Sequence, residues 1–259
     1  MALFLIDCHA HLEEIAPLLP ALERAVSAGV KAILAAAIDT VSSRWVMELA
    51  ARELPVTVLP CIGLHPSEVS PGETAAIAKL IEENHPRLAA VGEIGLDYWT
   101  AKKDEAKKEL QRQAFRVQLE LARRFGLTTV IHSRGAWDDC RRLVEEAGVE
   151  RALFHWYSGP PEVLEKILAA GHYLSAAPAA ASSPPHRAAL ASAPLDRIVI
   201  ETDCPVPRRV GEERVPTEPA DLLVSLQALA EIKGCSTAEA AASSTAAARG
   251  LFRFPNDFK

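Results

Sequence analysis

Eight short apolar runs alternate with helix-like stretches along almost the whole chain. Several helix-like stretches end at a glycine, which commonly terminates a helix in the left-handed conformation. The alternation predicts repeated strand–helix units, the pattern of a parallel α/β fold. The predicted strands are residues 3–6, 30–38, 56–64, 88–93, 128–132, 152–155, 172–176 and 198–201. The predicted helices are 13–28, 42–53, 73–84, a long helix from the polar stretch 97–109 through 125, then 137–147, 161–170, 188–193, 220–233 and 237–251.

Eight such units in 259 residues match the size and repeat count of a (β/α)8 or TIM barrel. No linker rich in Pro, Gly or Ser divides the chain, so we expect a single α/β barrel domain over residues 1–259. The competing fold is a doubly wound open sheet, but the glycine-rich phosphate loop that usually follows its first strand is absent. In a barrel, side chains from the carboxyl ends of several strands converge on one mouth.

Residues of the types that bind metals stand at the ends of five predicted strands. His9 and His11 follow the first run, and residues two apart on a strand point to the same face. A His-x-His pair alone is weak support for a metal site. The recurrence of the pattern strengthens it, because four further strands end in Glu93, His132, His155 and the segment Glu201-Thr202-Asp203.

The set His9, His11, Glu93, His132, His155 and Asp203 exceeds the three protein ligands of a common catalytic zinc site. It suits two divalent ions that share a carboxylate, and Glu93, near the middle of the strand order, is the predicted bridge. Two ions ~3.5–4 Å apart generate hydroxide near neutral pH and stabilise an in-line displacement at a phosphodiester. We expect catalytic roles for Glu93 and for Asp203, the latter also as general base. The ligand types are compatible with Mg, Mn or Zn.

Composition narrows the class of protein. The hydrophobic fraction of 49% and the charged fraction of 24% are typical of a globular protein with a sizeable core, and no run approaches the ~20 apolar residues of a membrane span. The net charge of −6 excludes nucleic-acid binding through a broad basic surface, but bound cations can still hold a phosphate. Five cysteines without a Cys-x-x-Cys pair predict free thiols. We expect a cytoplasmic monomer without a stable protein partner.

Six sequence blocks give a more specific indication. The chain resembles the TatD family of metal-dependent deoxyribonucleases in the blocks His9-x-His11, Gly63-Leu64-His65-Pro66, Val91-Gly92-Glu93-Ile94-Gly95-Leu96-Asp97-Tyr98, Ile131-His132-Ser133-Arg134, His155-x-x-Ser158-Gly159 and Glu201-Thr202-Asp203-x-Pro205. The resemblance implies a TIM-barrel hydrolase of the amidohydrolase-like superfamily, with the six residues above as metal ligands. It implies exonuclease-type action on DNA, at ends or single strands, with magnesium or a similar ion. Glu93 stands where amidohydrolases proper often carry a carbamylated lysine, which favours the nuclease branch.

The residues expected to contact substrate are separate from the predicted ligands. Departures from the family pattern occur at Ser67, Pro178, Thr217 and Ala247. Hydroxyl, guanidinium and backbone N–H groups beyond the ligand-bearing strands are suited to hold a phosphate. The candidates are His65, Asp97, Ser133, Arg134, Ser158, Gly159 and Arg208, with Arg209 as a further candidate. For Arg208 and Arg209 the alternative is a solvated charge in a surface loop. Trp156 and Tyr157 could equally stack on a base or pack internally.

Three functions follow from these observations. The first is a two-metal deoxyribonuclease. The second is hydrolysis of another ester or amide, such as an aminoacyl ester on tRNA, because the same chemistry attacks carbonyl groups. The third is a metal-binding scaffold without turnover, against which the complete ligand set counts, since a scaffold does not require Asp203.

Overall fold

The computed structural model describes residues 3–255 and 258. Eight parallel strands, β1 to β8, form one sheet in which each strand pairs with the next along the chain. The strands are Leu5–Ala10, Val30–Ala36, Thr57–Ile62, Ala90–Gly95, Thr128–His132, Ala152–Phe154, Tyr173–Ala176 and Ile198–Ile200. The backbone N–H groups of Asp203 and His11 donate to the carbonyl oxygens of His9 (2.9 Å) and Cys204 (2.8 Å), which joins the end of β8 to β1. The predicted (β/α)8 barrel is thereby confirmed.

Helices cover the outside of the barrel. In chain order α1 to α10 are Leu18–Ser27, Thr40–Leu49, Pro71–Asn84, Tyr98–Ala101, Glu105–Phe125, Trp137–Ala147, Pro161–Ala169, Pro184–Ser192, Leu222–Lys233 and Thr237–Leu251. Their buried apolar faces pack against the sheet in one large cluster, while a second cluster combines side chains such as Ile6, Leu34, Leu59, Val130 and Leu153. Side chains from strands on opposite sides can meet only inside the barrel, so the second cluster is its interior.

Three local differences from the predicted elements have physical reasons. The first helix begins at Leu18 rather than 13, because Pro17 disfavours helical backbone at the residue before it, and residues Leu12–Glu14 form a 3₁₀ turn instead. Helix α8 begins earlier than predicted, at Pro184, a residue well suited to the first helical turn. Residues expected to be a loop form an antiparallel hairpin of β9 (Arg208–Val210) and β10 (Glu213–Val215).

Candidate metal centre and active site

The two histidines of β1 face each other at the mouth of the barrel. The Nε2 atoms of His9 and His11 are 3.2 Å apart, as the two-residue strand spacing predicts. His11 Nδ1 lies 3.1 Å from the carbonyl oxygen of Ala36. A carbonyl acceptor fixes the proton on Nδ1, which leaves the lone pair of Nε2 directed into the mouth as a metal ligand requires.

Glu93, at the middle of β4, is the centre of the cluster. Its Oε1 atom lies 2.7 Å from Nδ1 of His132 and 2.8 Å from Nε2 of His155. Its Oε2 atom lies 3.4 Å from Nε2 of His9 and 3.5 Å from Nε2 of His11. The carboxylate therefore spans two separate pairs of imidazoles, the arrangement expected of a bridging ligand.

His65 lies inside the cluster rather than at its edge. Its Nε2 atom is 3.3 Å from Nδ1 of His132 and 3.7 Å from Glu93, and the three side chains form a group able to hold one ion. Ser67, one of the departures from the family pattern, places its hydroxyl 2.6 Å from Nδ1 of His65 and so orients the ring. His65 is thus a further candidate ligand, in addition to its predicted contact with substrate.

Asp97 binds to the neighbouring histidine. Its Oδ2 atom lies 3.2 Å from Nε2 of His132, and its Oδ1 atom accepts a hydrogen bond from the Thr100 N–H at the start of α4. A carboxylate on the far nitrogen of a ligand histidine fixes the ring orientation. This contact gives Asp97 a positioning role, while its predicted contact with substrate stays a prediction.

Asp203 and His155 complete the cluster on the side of β8. Asp203 Oδ1 lies 3.4 Å from Nε2 of both His9 and His11, and the rings of His9 and His155 stack with centroids 4.3 Å apart. Asp203 has φ of 51°, a backbone conformation uncommon for a residue other than glycine and one that is concentrated at functional sites. His9, His155 and Asp203 form a second group able to hold an ion, and His9, His11 and Glu93 form a third.

Glu201 is a functional candidate that the sequence reasoning did not select. It is completely buried, neither carboxylate oxygen has a hydrogen-bond partner among the described residues, and Oε1 lies 3.5 Å from Nδ1 of His155. A buried carboxylate behind a ligand histidine raises the basicity of that ligand. Its signal in the sequence is its place at the start of the block Glu201-Thr202-Asp203-x-Pro205, directly after the apolar run that forms β8.

Two further contacts hold the strand ends in place. The buried Asp7 accepts hydrogen bonds from the Thr202 N–H (2.9 Å) and hydroxyl (2.6 Å), which ties β1 to the segment after β8. A Cβ atom at Gly95 would lie 2.0 Å from the carbonyl oxygen of His132, so only glycine permits the close approach of β4 to β5. The ligand positions therefore depend on contacts between different strands.

The charges of the cluster fit divalent cations. Burial opposes the charged form of Glu93 and Asp203, yet neighbouring histidines hold the pKa of both carboxyl groups below the usual value. Burial also opposes protonation of His11, but Asp203 and Glu93 raise its pKa to about 9, and carboxylates raise the pKa of His132 and His155 as well. The ionised carboxylates thus require a positive charge, which metal ions supply in place of ring protons.

The ligand cluster is the set of six predicted ligands together with His65. All its members but His9 line a cavity of about 480 Å³. Of the predicted substrate contacts, Ser133, Arg134 and Ser158 line it together with His65. Gly159 instead packs under an indole, because a Cβ atom there would lie 2.4 Å from Cγ of Trp137. The aromatic and cationic residues in the lining are Trp99, Trp137, Trp156, Arg134 and Arg214.

A second cavity of about 410 Å³ lies beside the first and shares with it the lining residues Trp156, Val206 and Arg214, the last of which is in β10. Arg208 lines only the second cavity and pairs with Asp221, its Nε atom 2.9 Å from Oδ1. Arg209 lines the second cavity as well, whereas Arg214 lines both. The structure thus places Arg208 away from the ligand cluster and brings Arg214, which the sequence reasoning did not select, to its border.

The two aromatic candidates have different surroundings. Trp156 is partly buried and lines both cavities, so it keeps access to a substrate. Tyr157 is completely buried, and its hydroxyl donates to the carbonyl oxygen of Pro160 at 2.7 Å. Of the two alternatives for Tyr157, the structure supports internal packing.

The remaining departures from the family pattern, Thr217, Ala247 and Pro178, contact neighbouring parts of the protein rather than the predicted ligands. The buried Thr217 donates its hydroxyl hydrogen bond to the carbonyl oxygen of Val206, and Ala247 packs in the barrel core. Pro178 begins a 3₁₀ turn beside the second cavity. Burial raises the pKa of the Cys8 and Cys204 thiols. Neither thiol belongs to a group able to hold an ion among the described residues.

Comparison with known proteins agrees with this geometry. The TatD related DNase family matches residues 6–253. Deoxyribonuclease TATDN3 of Homo sapiens is 35% identical over 265 residues, covering 96% of this chain and 94% of that protein. The 3'-5' ssDNA/RNA exonuclease TatD of Erwinia billingiae is 31% identical over 245 residues, covering 90% and 92%.

Solved structures agree as well. The crystal structure of YJJV, a TatD homolog from Escherichia coli K12, superposes with a TM-score of 0.87 at 26% identity and covers 98% of this chain and 100% of that one. The resemblance seen in the sequence blocks is therefore confirmed over nearly the whole length. The chain belongs to the TatD related DNase family of metal-dependent hydrolases.

Proposed function

We propose that the protein is a metal-dependent deoxyribonuclease that removes nucleotides from the ends of single-stranded DNA. The observation that carries the proposal is the buried cluster around Glu93, whose two carboxylate oxygens reach different histidine pairs. The human deoxyribonuclease TATDN3 supports the nuclease activity, and the 3'-5' ssDNA/RNA exonuclease TatD of Erwinia billingiae supports 3'-5' polarity and RNA as a second substrate.

We assign six metal ligands, His9, His11, Glu93, His132, His155 and Asp203, with His65 as a seventh candidate. The overlap of the three candidate groups in Glu93 and His9 supports two ions that share ligands, rather than one ion. When bound, two divalent ions activate water and neutralise the charge that develops on a phosphoryl group. Imidazole and carboxylate ligands accept Mg, Mn or Zn.

The residues of the chain have separate tasks in the reaction. Asp203, at the border of the cavity, accepts a proton from the attacking water; neighbouring histidines keep its carboxylate ionised and so able to take one. Glu93 holds the two halves of the cluster together. Asp97 and Glu201 orient His132 and His155 from behind. Ser133, Arg134 and Ser158 hold the phosphate oxygens through hydroxyl and guanidinium donors.

The direct test uses metal-loaded protein and single-stranded DNA labelled at the 5' or the 3' end. We expect progressive shortening of the 5'-labelled strand, immediate release of a labelled mononucleotide from the 3'-labelled strand, and no reaction in EDTA. A panel of carboxylic ester and amide substrates, including an aminoacyl ester of tRNA, is the comparison. Intact DNA beside cleavage of a carbonyl substrate would refute the nuclease proposal, and no turnover of any substrate would favour a metal-binding scaffold.

The proposal includes a single-domain monomer that works in the cytoplasm. The five cysteines are free in the structure, and no helix of its described part is long and apolar enough to cross a membrane. Light scattering after size-exclusion chromatography gives the mass in solution. A dimer at micromolar concentration would contradict the monomer, and recovery in a membrane or secreted fraction would contradict the location.

A further inference from the structure

Trp99 is an exposed indole at the mouth of the metal cavity. It lies in the short helix α4, the residue is 58% exposed, and it lines the same cavity as His132 and Arg134. The two other indoles in the lining, Trp137 and Trp156, are partly buried. A large apolar ring left in contact with water at the border of a catalytic cavity is a feature of ligand sites rather than of a core.

The indole is held in one orientation. The guanidinium carbon of Arg134 lies 4.6 Å from the ring centroid, over one face. The ring edge rests against Gly135, where a Cβ atom would lie 2.4 Å from Cδ1 and 2.7 Å from Nε1 of Trp99. Because Gly135 has φ of +70°, any other residue there is both strained and in collision with the indole. Contacts on one face and one edge thus fix an otherwise exposed ring.

The same indole is tied to the ligand cluster. Asp97 joins the two, since one carboxylate oxygen accepts from the Thr100 N–H of α4 and the other lies 3.2 Å from His132. The Tyr98 N–H donates to the carbonyl oxygen of Arg134 at 3.0 Å. Trp99 is only two residues from Asp97 in the sequence, so the contact of Asp97 with His132 also sets the position of Trp99 relative to His132. These contacts hold the ring at a fixed place beside the candidate ligands.

Resting on the proposed function, we infer that Trp99 is a stacking platform for the base of the terminal nucleotide. Arg134 covers one face and has no carboxylate partner in the described part of the chain, so its N–H groups remain available to the phosphate of that nucleotide. Every base has a π-face, so a stacking platform selects nucleic acid over other phosphodiesters without selecting a sequence. The site thereby favours substrates that carry a base at the end.

The test compares two oligonucleotides, one unmodified and one that lacks the bases of its last two nucleotides at the attacked end. We expect Trp99→Ala to lower both kcat/KM of the metal-loaded enzyme and oligonucleotide affinity in EDTA by about tenfold for the unmodified strand, the size of one base–aromatic contact. Both values for the abasic strand should stay within about twofold. Trp99→Phe, which keeps an aromatic face, should retain most of the preference for bases.

Leu223→Ala is the matched control, because Leu223 is also exposed and apolar but lies on α9 outside the cavity lining. It should leave both substrates unaffected. An equal loss on both strands in Trp99→Ala that Trp99→Phe does not restore would overturn stacking in favour of a structural role. Equal affinity of the unaltered protein for the two strands would also overturn it. A protein that prefers the base-bearing strand in EDTA but cleaves no DNA would refute the proposed nuclease function while supporting the stacking site.

Discussion

Replacement of Glu201 by glutamine tests how a buried carboxylate supports the metal centre. Glutamine has almost the same volume, so the change removes the charge behind His155 and leaves the packing intact. At 3.5 Å and an effective dielectric constant of about 20, a full positive charge on the ring would gain ~5 kcal/mol from the carboxylate. A metal-bound imidazole carries only part of that charge, so the carboxylate stabilises it by less. The amide of the glutamine variant offsets part of the loss, because it can form a hydrogen bond worth ~1 kcal/mol. We expect a net loss of ~1.4–2.8 kcal/mol, or ~10–100-fold in metal affinity.

The assay is competition of the metal-free protein with a chelating indicator for Zn²⁺ or Mn²⁺, beside thermal unfolding of the metal-free protein. Glu201→Gln should bind metal more weakly while its Tm changes by only a few degrees. Glu231→Gln is the control, because Glu231 is an exposed carboxylate whose salt bridge is with Arg187 and not with a predicted ligand. Unchanged metal affinity in Glu201→Gln would refute the positioning role. A decrease in Tm as large as that expected of a large-to-small substitution in the core would show that Glu201 acts on folding instead.

Three further predictions concern the bridge, the base and a helix end. Glu93→Ala should lower the metal content toward one ion or none and abolish turnover, and metal analysis that still finds two ions per chain would refute the bridging role. Asp203→Asn keeps one oxygen ligand but cannot accept a proton, so kcat should fall at least ~10²-fold with folding intact; recovery to within about tenfold in excess metal would remove the base role. Lys233→Met should reduce the free energy of unfolding by ~1–3 kcal/mol in urea titration, because Nζ donates to three carbonyl oxygens at the end of α8, and an unchanged midpoint would contradict this.

The sequence by itself determined the strand–helix repeat and predicted the set of candidate metal ligands. The alternation of apolar runs and helical stretches specified eight strand–helix units, because period and length of the apolar pattern depend only on local geometry. His9 and His11 could be placed on one face for the same reason. The convergence of Glu93, His132 and Asp203 followed from the rule that parallel strands end at one face of the barrel.

Only the tertiary structure decided the contacts between residues distant in sequence. The place of His65 within the cluster, the buried Glu201 behind His155 and the pairing of Arg208 with Asp221 all depend on the relative positions of separate strands and loops. Trp99 directly follows the block that ends at Tyr98. Its inferred role depends on its exposure and on its contact with Gly135, and no local sequence pattern contains either of them. Local periodicity fixes which face a side chain occupies, whereas its partners are set by packing across the barrel.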